Sequence, residues 1–115
     1  MAKESREEYS AIQQLQITEQ ALQNLVLQKQ MFQLELIESN NALDELKIMK
    51  TDEVFKIIGN VMFKTDKEEL KKELQKKIDL LNLRLKAIEN QEEELRKGLL
   101  KARSEILKKS KVAEK

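Results

Sequence analysis

Apolar residues return every seven positions along most of this chain. In the first arm Leu15, Leu22, Leu36 and Leu43 form one row, with Ala11, Leu25, Phe32 and Leu46 in the row beside it. Spacings that alternate between four and three lay both rows on one face of a helix, as the a and d positions of a coiled coil. The second arm repeats the pattern with Ile78, Leu85, Leu99 and Ile106 at a, and Leu74, Leu81, Ile88, Leu95 and Ala102 at d. Lys29, Thr18 and Ser39 interrupt the first seam, and Lys71 and Glu92 the second. The expected fold class is mainly all-α: a long antiparallel two-helix coiled coil joined by one β-hairpin.

Folding the arms back on each other satisfies both seams when paired residue numbers add to 117, as for Leu15 with Ala102, Leu22 with Leu95, Phe32 with Leu85 and Leu36 with Leu81. Lys29 then lies opposite Ile88, one helical turn from Glu92, so a charge pair across the seam would specify this register. Ser5 followed by Glu8, and Asp66 followed by Glu69, have the spacing of capping boxes. A single domain over residues 1–115 follows, with helix one from about residue 6 to 48 and helix two from about 66 to 110, before a polar tail. Gly98 falls inside helix two, where it marks a bend or a close contact.

The reversal point of that register is in VFKIIGNVMFK, residues 54–64. Two β-prone runs flank Gly59-Asn60, a two-residue turn signal in which glycine supplies a positive φ. A hairpin over about 54–65 results. Alternation puts Val54, Ile58, Val61 and Phe63 on one face with Lys56, and Phe55, Ile57 and Met62 on the other with Lys64. A lone hairpin with two apolar faces and two open edges is marginal in water. The stretch therefore reads as an assembly element covered by other subunits, against the simpler view that it merely caps the helices.

Composition narrows the chemistry. With 37% charged residues, 3% aromatic, two glycines and no proline, the chain suits long helices with a narrow apolar seam, which bury too little by themselves to dispense with partners. Neither cysteine nor histidine is present, removing disulfides, thiolate metal sites and the commonest general base. No cofactor or metal is expected, and no catalytic residue: Glu92, Glu93 and Glu94 lie on a helix surface without an apolar pocket, and no glycine-rich loop exists to cradle a phosphate. No apolar run approaches a bilayer span, and MAKESREEYS is too polar for a signal peptide, so a soluble cytoplasmic protein without membrane contact is expected.

Charge is uneven. Residues 1–46 hold 3 basic and 8 acidic groups, whereas residues 66–115 hold 15 and 11, so the two arms attract. The basic end, with 8 basic against 2 acidic groups over residues 96–115, raises nucleic-acid binding, but the acidic first arm lies alongside and no aromatic platform accompanies it. Nucleic acid is not an expected partner.

A helix, a short hairpin and a second helix, with V-[FY]-K-x-x-G-x-x-[FLM]-x-K at the reversal, resembles the β-type subunits of prefoldin. LQNLVLQKQMFQLEL, NALDELK, VFKIIGNVMFK and LKAIENQEEELRKGL carry the likeness over nearly the whole chain. The resemblance implies a hexamer of two α-type and four β-type subunits, with hairpins joined into a double β-barrel platform and coiled coils hanging from it as tentacles. It implies ATP-independent capture of unfolded proteins near the tentacle tips and their transfer to a group II chaperonin. The assembly site then maps to Val54, Phe55, Ile57, Ile58, Gly59, Val61, Met62 and Phe63. Prolines are missing from the N-terminal region, and KKSKVAEK at the C-terminus is more basic than in many relatives.

Client-binding candidates are the off-seam apolar residues toward the free ends, Ile12 and Ile17 in the first arm and Leu100 and Leu107 in the second. Ordinary surface apolar residues would look the same. Leu27, Met31 and Leu34 form a second stripe, better suited to partner packing than to clients. The competing function is a structural coiled-coil adaptor or scaffold that oligomerises through its hairpin and holds one folded partner.

Overall fold

A computed structural model describes residues 2–113, with side chains described for residues 6–108. Helix α1 (Ala2–Ile48) leads into strand β1 (Glu53–Ile58), strand β2 (Val61–Asp66) and helix α2 (Lys67–Ala113). Both helices are long and lack proline, and the two strands form one antiparallel hairpin.

Helix α1 begins at Ala2, so Ser5 lies inside its first turns and does not cap it. Ala, Lys, Glu and Arg in this segment are good helix formers and nothing there breaks the backbone. Asp66 does stand immediately before α2, with Glu68 and Glu69 in the first turn, where carboxylates complement the exposed N–H groups and the helix dipole. Lys47 plays the matching part in the last turn of α1.

The chain divides into two units, residues 2–29 with 87–113 and residues 30–86. In the first, Ile88 and Leu99 are buried, while Leu15, Leu22, Leu25 and Leu95 are half-buried. Arg103 donates to Glu19 at 2.9 Å and Lys29 to Glu92 at 3.2 Å, so residue numbers rise on one helix as they fall on the other. Helix α2 passes through Gly98 without a break, and a Cβ on that glycine would meet nothing within 4 Å. No close contact calls for a glycine there.

In the second unit Ser39, Leu43, Leu46, Ile78, Leu81 and Leu85 are buried, with Phe32 and Leu36 half-buried and the Arg84 guanidinium 5.8 Å from the Phe32 ring centroid. The hairpin pairs Glu53 with Asp66 through to Ile58 with Val61. Gly59 has φ 60° and Asn60 has a negative φ, the pattern of a type II′ turn with glycine first. Two short bonds fasten the hairpin's base: the Lys67 N–H donates to the Asp52 carbonyl at 2.8 Å, and Lys67 Nζ to the Met49 carbonyl at 2.7 Å.

Candidate functional site

The hairpin register decides which side chains share a face. Val54, Lys56, Ile58, Val61, Phe63 and Thr65 point one way, and Phe55, Ile57, Met62 and Lys64 the other. On the first face Val54 is buried, 5% exposed, and Lys56 reaches α2 through an ion pair with Glu73 at 2.8 Å. The rest of both faces is open: Phe55, Ile57, Ile58, Val61, Met62 and Phe63 all remain exposed. Six large apolar side chains exposed over the two faces of a fourteen-residue hairpin make apolar surface of a kind that marks a partner interface.

Burial of Val54 draws the base of the hairpin onto the helices. Beside it Ala42 and Leu46 of α1, Met49 just past that helix, Phe55 of β1 and Leu70 and Leu74 of α2 line a mainly apolar cleft of about 300 Å³, together with Glu45 and Glu53. The heptad rows do not single out Ala42, Met49 or Leu70, because the cleft arises only once the hairpin turns over the helix ends. The Lys56–Glu73 pair was likewise missed. Its only signal is a lysine sharing a strand face with a buried valine.

The tip candidates Ile12, Ile17, Leu100 and Leu107 all belong to the unit of residues 2–29 with 87–113 and are all exposed. Tyr9 joins them at 65% exposure, an apolar ring that seam-counting passed over. Leu27, Met31 and Leu34 are exposed too, as are Ile37, Leu80 and Leu83, which lie outside the a and d rows.

Glu92 is the most engaged charge. Arg96 donates to its Oε1 from Nε at 3.1 Å and from Nη2 at 2.8 Å, and Lys29 donates to Oε2. These bonds, Arg96's first and Lys29's second, hold the Glu92 carboxyl below its ordinary pKa. Among the described residues no group of His, Cys, Asp and Glu could hold a metal ion, and no helix is long and apolar enough to cross a membrane.

Comparison with known proteins fits this architecture. Residues 10–112 match the family model described as "Prefoldin subunit". The chain belongs to the prefoldin subunit family. The prefoldin subunit beta of Thermococcus kodakarensis is 42% identical over 94 residues, covering 81% of this chain and 80% of that relative. The prefoldin subunit beta of Thermococcus onnurineus is 40% identical over 87 residues, 75% of each chain. A crystal structure of the prefoldin beta subunit from Thermococcus strain KS-1 superposes with a TM-score of 0.77 at 39% identity, covering 87% of this chain and 89% of that one. Membership of the prefoldin family supports the role of a chaperone subunit that assembles with other prefoldin subunits.

Proposed function

We propose that this chain is a β-type subunit of a prefoldin hexamer, two α-type and four β-type chains, that captures unfolded proteins in the cytoplasm and passes them to a group II chaperonin without ATP hydrolysis. The observation that carries the reading is the exposure of Ile12, Ile17, Leu100 and Leu107, large apolar residues off the seam in one unit of a prefoldin-family chain. Each contact with a client is weak. Several subunits acting together multiply them, because the second and later contacts form at high effective concentration. Unfolded chains present many apolar segments at once, so they are held, while folded proteins rarely expose large contiguous apolar patches.

Assembly is assigned to the hairpin. Its exposed apolar faces and free edges suit covering by neighbouring hairpins, which would pair the edge N–H and C=O groups as they bury the side chains. Capture itself calls for no bond making, so neither a cofactor nor a catalytic residue enters. Release follows competition by the chaperonin for the same exposed surfaces.

Absolute mass by light scattering, for the chain alone and co-expressed with an α-type prefoldin subunit, tests this. A two-to-four complex is the expected result. Ile57→Lys combined with Met62→Glu keeps a favourable cross-strand pair while removing the apolar face, and should prevent that complex from forming. A wild-type chain that ignores the α-type partner would sink the reading in favour of a self-contained adaptor.

A further inference from the structure

Met31, Leu34 and Ile37 face away from the seam along α1, and neither capture at the free ends nor the hairpin uses them. Helix α2 carries a shorter stripe: among its described residues before Gly98, only Leu80 and Leu83 are large, apolar and exposed. All five fall in the unit of residues 30–86. In that unit the Arg84 guanidinium stands over the Phe32 ring, in keeping with the fold-back register of the seam. The same register sets Leu34 level with Leu83 and Ile37 level with Leu80. The two stripes of one chain are thus at matching heights on the outward sides of its two helices, where they cannot cover each other.

Charge identifies what covers them. From Gln30 to Leu46, α1 carries Glu35, Glu38, Asp44 and Glu45 and no basic residue, and none of these carboxylates has an ion-pair partner among the described residues. A second α1 laid on this face would bring like charges together, which disfavours a contact between two α1 stripes. The outward side of α2 is different. Lys72, Lys76 and Lys86 lie there, again without ion-pair partners among the described residues, and of the carboxylates beside them Glu73 is already held by Lys56. In the fold-back register Lys76 is level with Asn41, between Glu38 and Glu45, and Lys72 is level with Glu45 itself. A second copy of this chain, set alongside with its hairpin at the same end, therefore offers the α1 stripe apolar residues at the right height and cations beside the unpaired carboxylates.

We propose that copies of this chain pack side by side over the parts of their helices next to the hairpin, the outward face of α1 in one against the outward face of α2 in the next, with Leu34 meeting Leu83 and Lys76 seated between Glu38 and Glu45. Each copy keeps one of its two faces free, so the contact can pass on to a third copy. The apolar area involved is on the order of a few hundred Å², short of the roughly 1,200 Å² of a stable complex, so the contact forms only between copies that are already tethered. The inference therefore rests on assembly through the hairpin.

The chain has no cysteine, so introduced ones report the contact without background. Two differently tagged versions, one with Leu34→Cys and the other with Leu83→Cys, are co-expressed with an α-type subunit, and the purified complex is oxidised. A disulfide forms only where the Cα atoms come within about 7 Å. The mixed 34–83 disulfide is expected at about tenfold or more the yield of either like pair. It should exceed by as much the product of Leu34→Cys with Lys76→Cys, which stands one heptad, roughly 10 Å, from Leu83 along the same row. Lys76→Glu added to the Leu83→Cys version should cut the mixed product about threefold or more, and Glu38→Lys with Glu45→Lys in the Leu34→Cys version should restore it. Like pairs in excess, a mixed yield no greater than the control, or no response to Lys76→Glu overturns the proposal. Any of these results with the complex at its full mass leaves the hairpin reading intact, and absence of the mixed product leaves the two faces to a client or to the α-type chain. Failure of the cysteine-free chain to form the complex removes the hairpin reading, and the side-by-side contact with it.

Discussion

Gly98 occupies a position beside the seam where an added methyl group meets nothing within 4 Å and the backbone is ordinary helix. Glycine there contributes only its excess unfolded-state entropy. Gly98→Ala should therefore stabilise the chain by roughly 0.5–1 kcal/mol, visible as a higher urea midpoint with an unchanged m-value. Gly59 is the opposite case. Its φ of 60° lies in the left-handed region, so Gly59→Ala should cost about 1 kcal/mol or more and loosen the turn that sets the strand register. Sequence separates the two glycines only halfway. Gly59 stands before Asn60 between two β-prone runs, and that local chemistry names its role. Gly98 has no such local signal, because a helical glycine's reason is in neighbours far along the chain, and here there are none close by.

Between elements, one contact binds α1 to α2 by charge inside the seam. Lys29 and Glu92 were readable as a pair because heptad numbering alone places them one turn apart across the fold-back. Arg96 lies four residues after Glu92 on the same helix, a spacing that also makes them neighbours, but the heptad rows follow only the a and d positions and pass over it. That second cation changes what a charge exchange does. Lys29→Glu with Glu92→Lys restores the cross-helix attraction but sets a lysine beside Arg96, so the double variant should recover only part of the melting temperature lost in each single one. Adding Arg96→Glu should recover more. The carboxyl also predicts an acid limit. Glu92's folded pKa is lowered from 4.5, so the stabilisation from its bonds is complete above about that pH and is lost as pH falls through the lower folded value. Melting temperature should fall with acidification in that window, and more shallowly in Glu92→Gln. The hairpin's existence and two-residue turn were likewise readable from β-branched and aromatic runs around Gly59-Asn60. Its fastening to the helices was not, because the Asp52 carbonyl to Lys67 bond and the Lys56–Glu73 pair depend on the path of the connectors.

For the whole molecule, holding a client and holding a partner subunit are assigned to different parts of the chain, and that separation can be tested directly. Ile12, Ile17, Leu100 and Leu107 are exposed, so replacing all four with glutamine, a good helix former, removes apolar contact without opening the seam. Complex mass and melting temperature should therefore stay close to wild type. Suppression of aggregation should collapse, because avidity multiplies across contacts: losing several weak ones together costs far more than losing any one, with about tenfold more complex needed for the same protection. Under the proposed function, unrelated unfolded clients should all be affected alike, because apolar exposure rather than a particular sequence would be what is recognised. An adaptor would behave otherwise, losing one folded partner and sparing every other binding reaction. Retained protection with all four replaced would move client capture elsewhere, and the exposed rows of Met31, Leu34 and Ile37 on α1, with Leu80 and Leu83 on α2, are where the same substitutions should then be made.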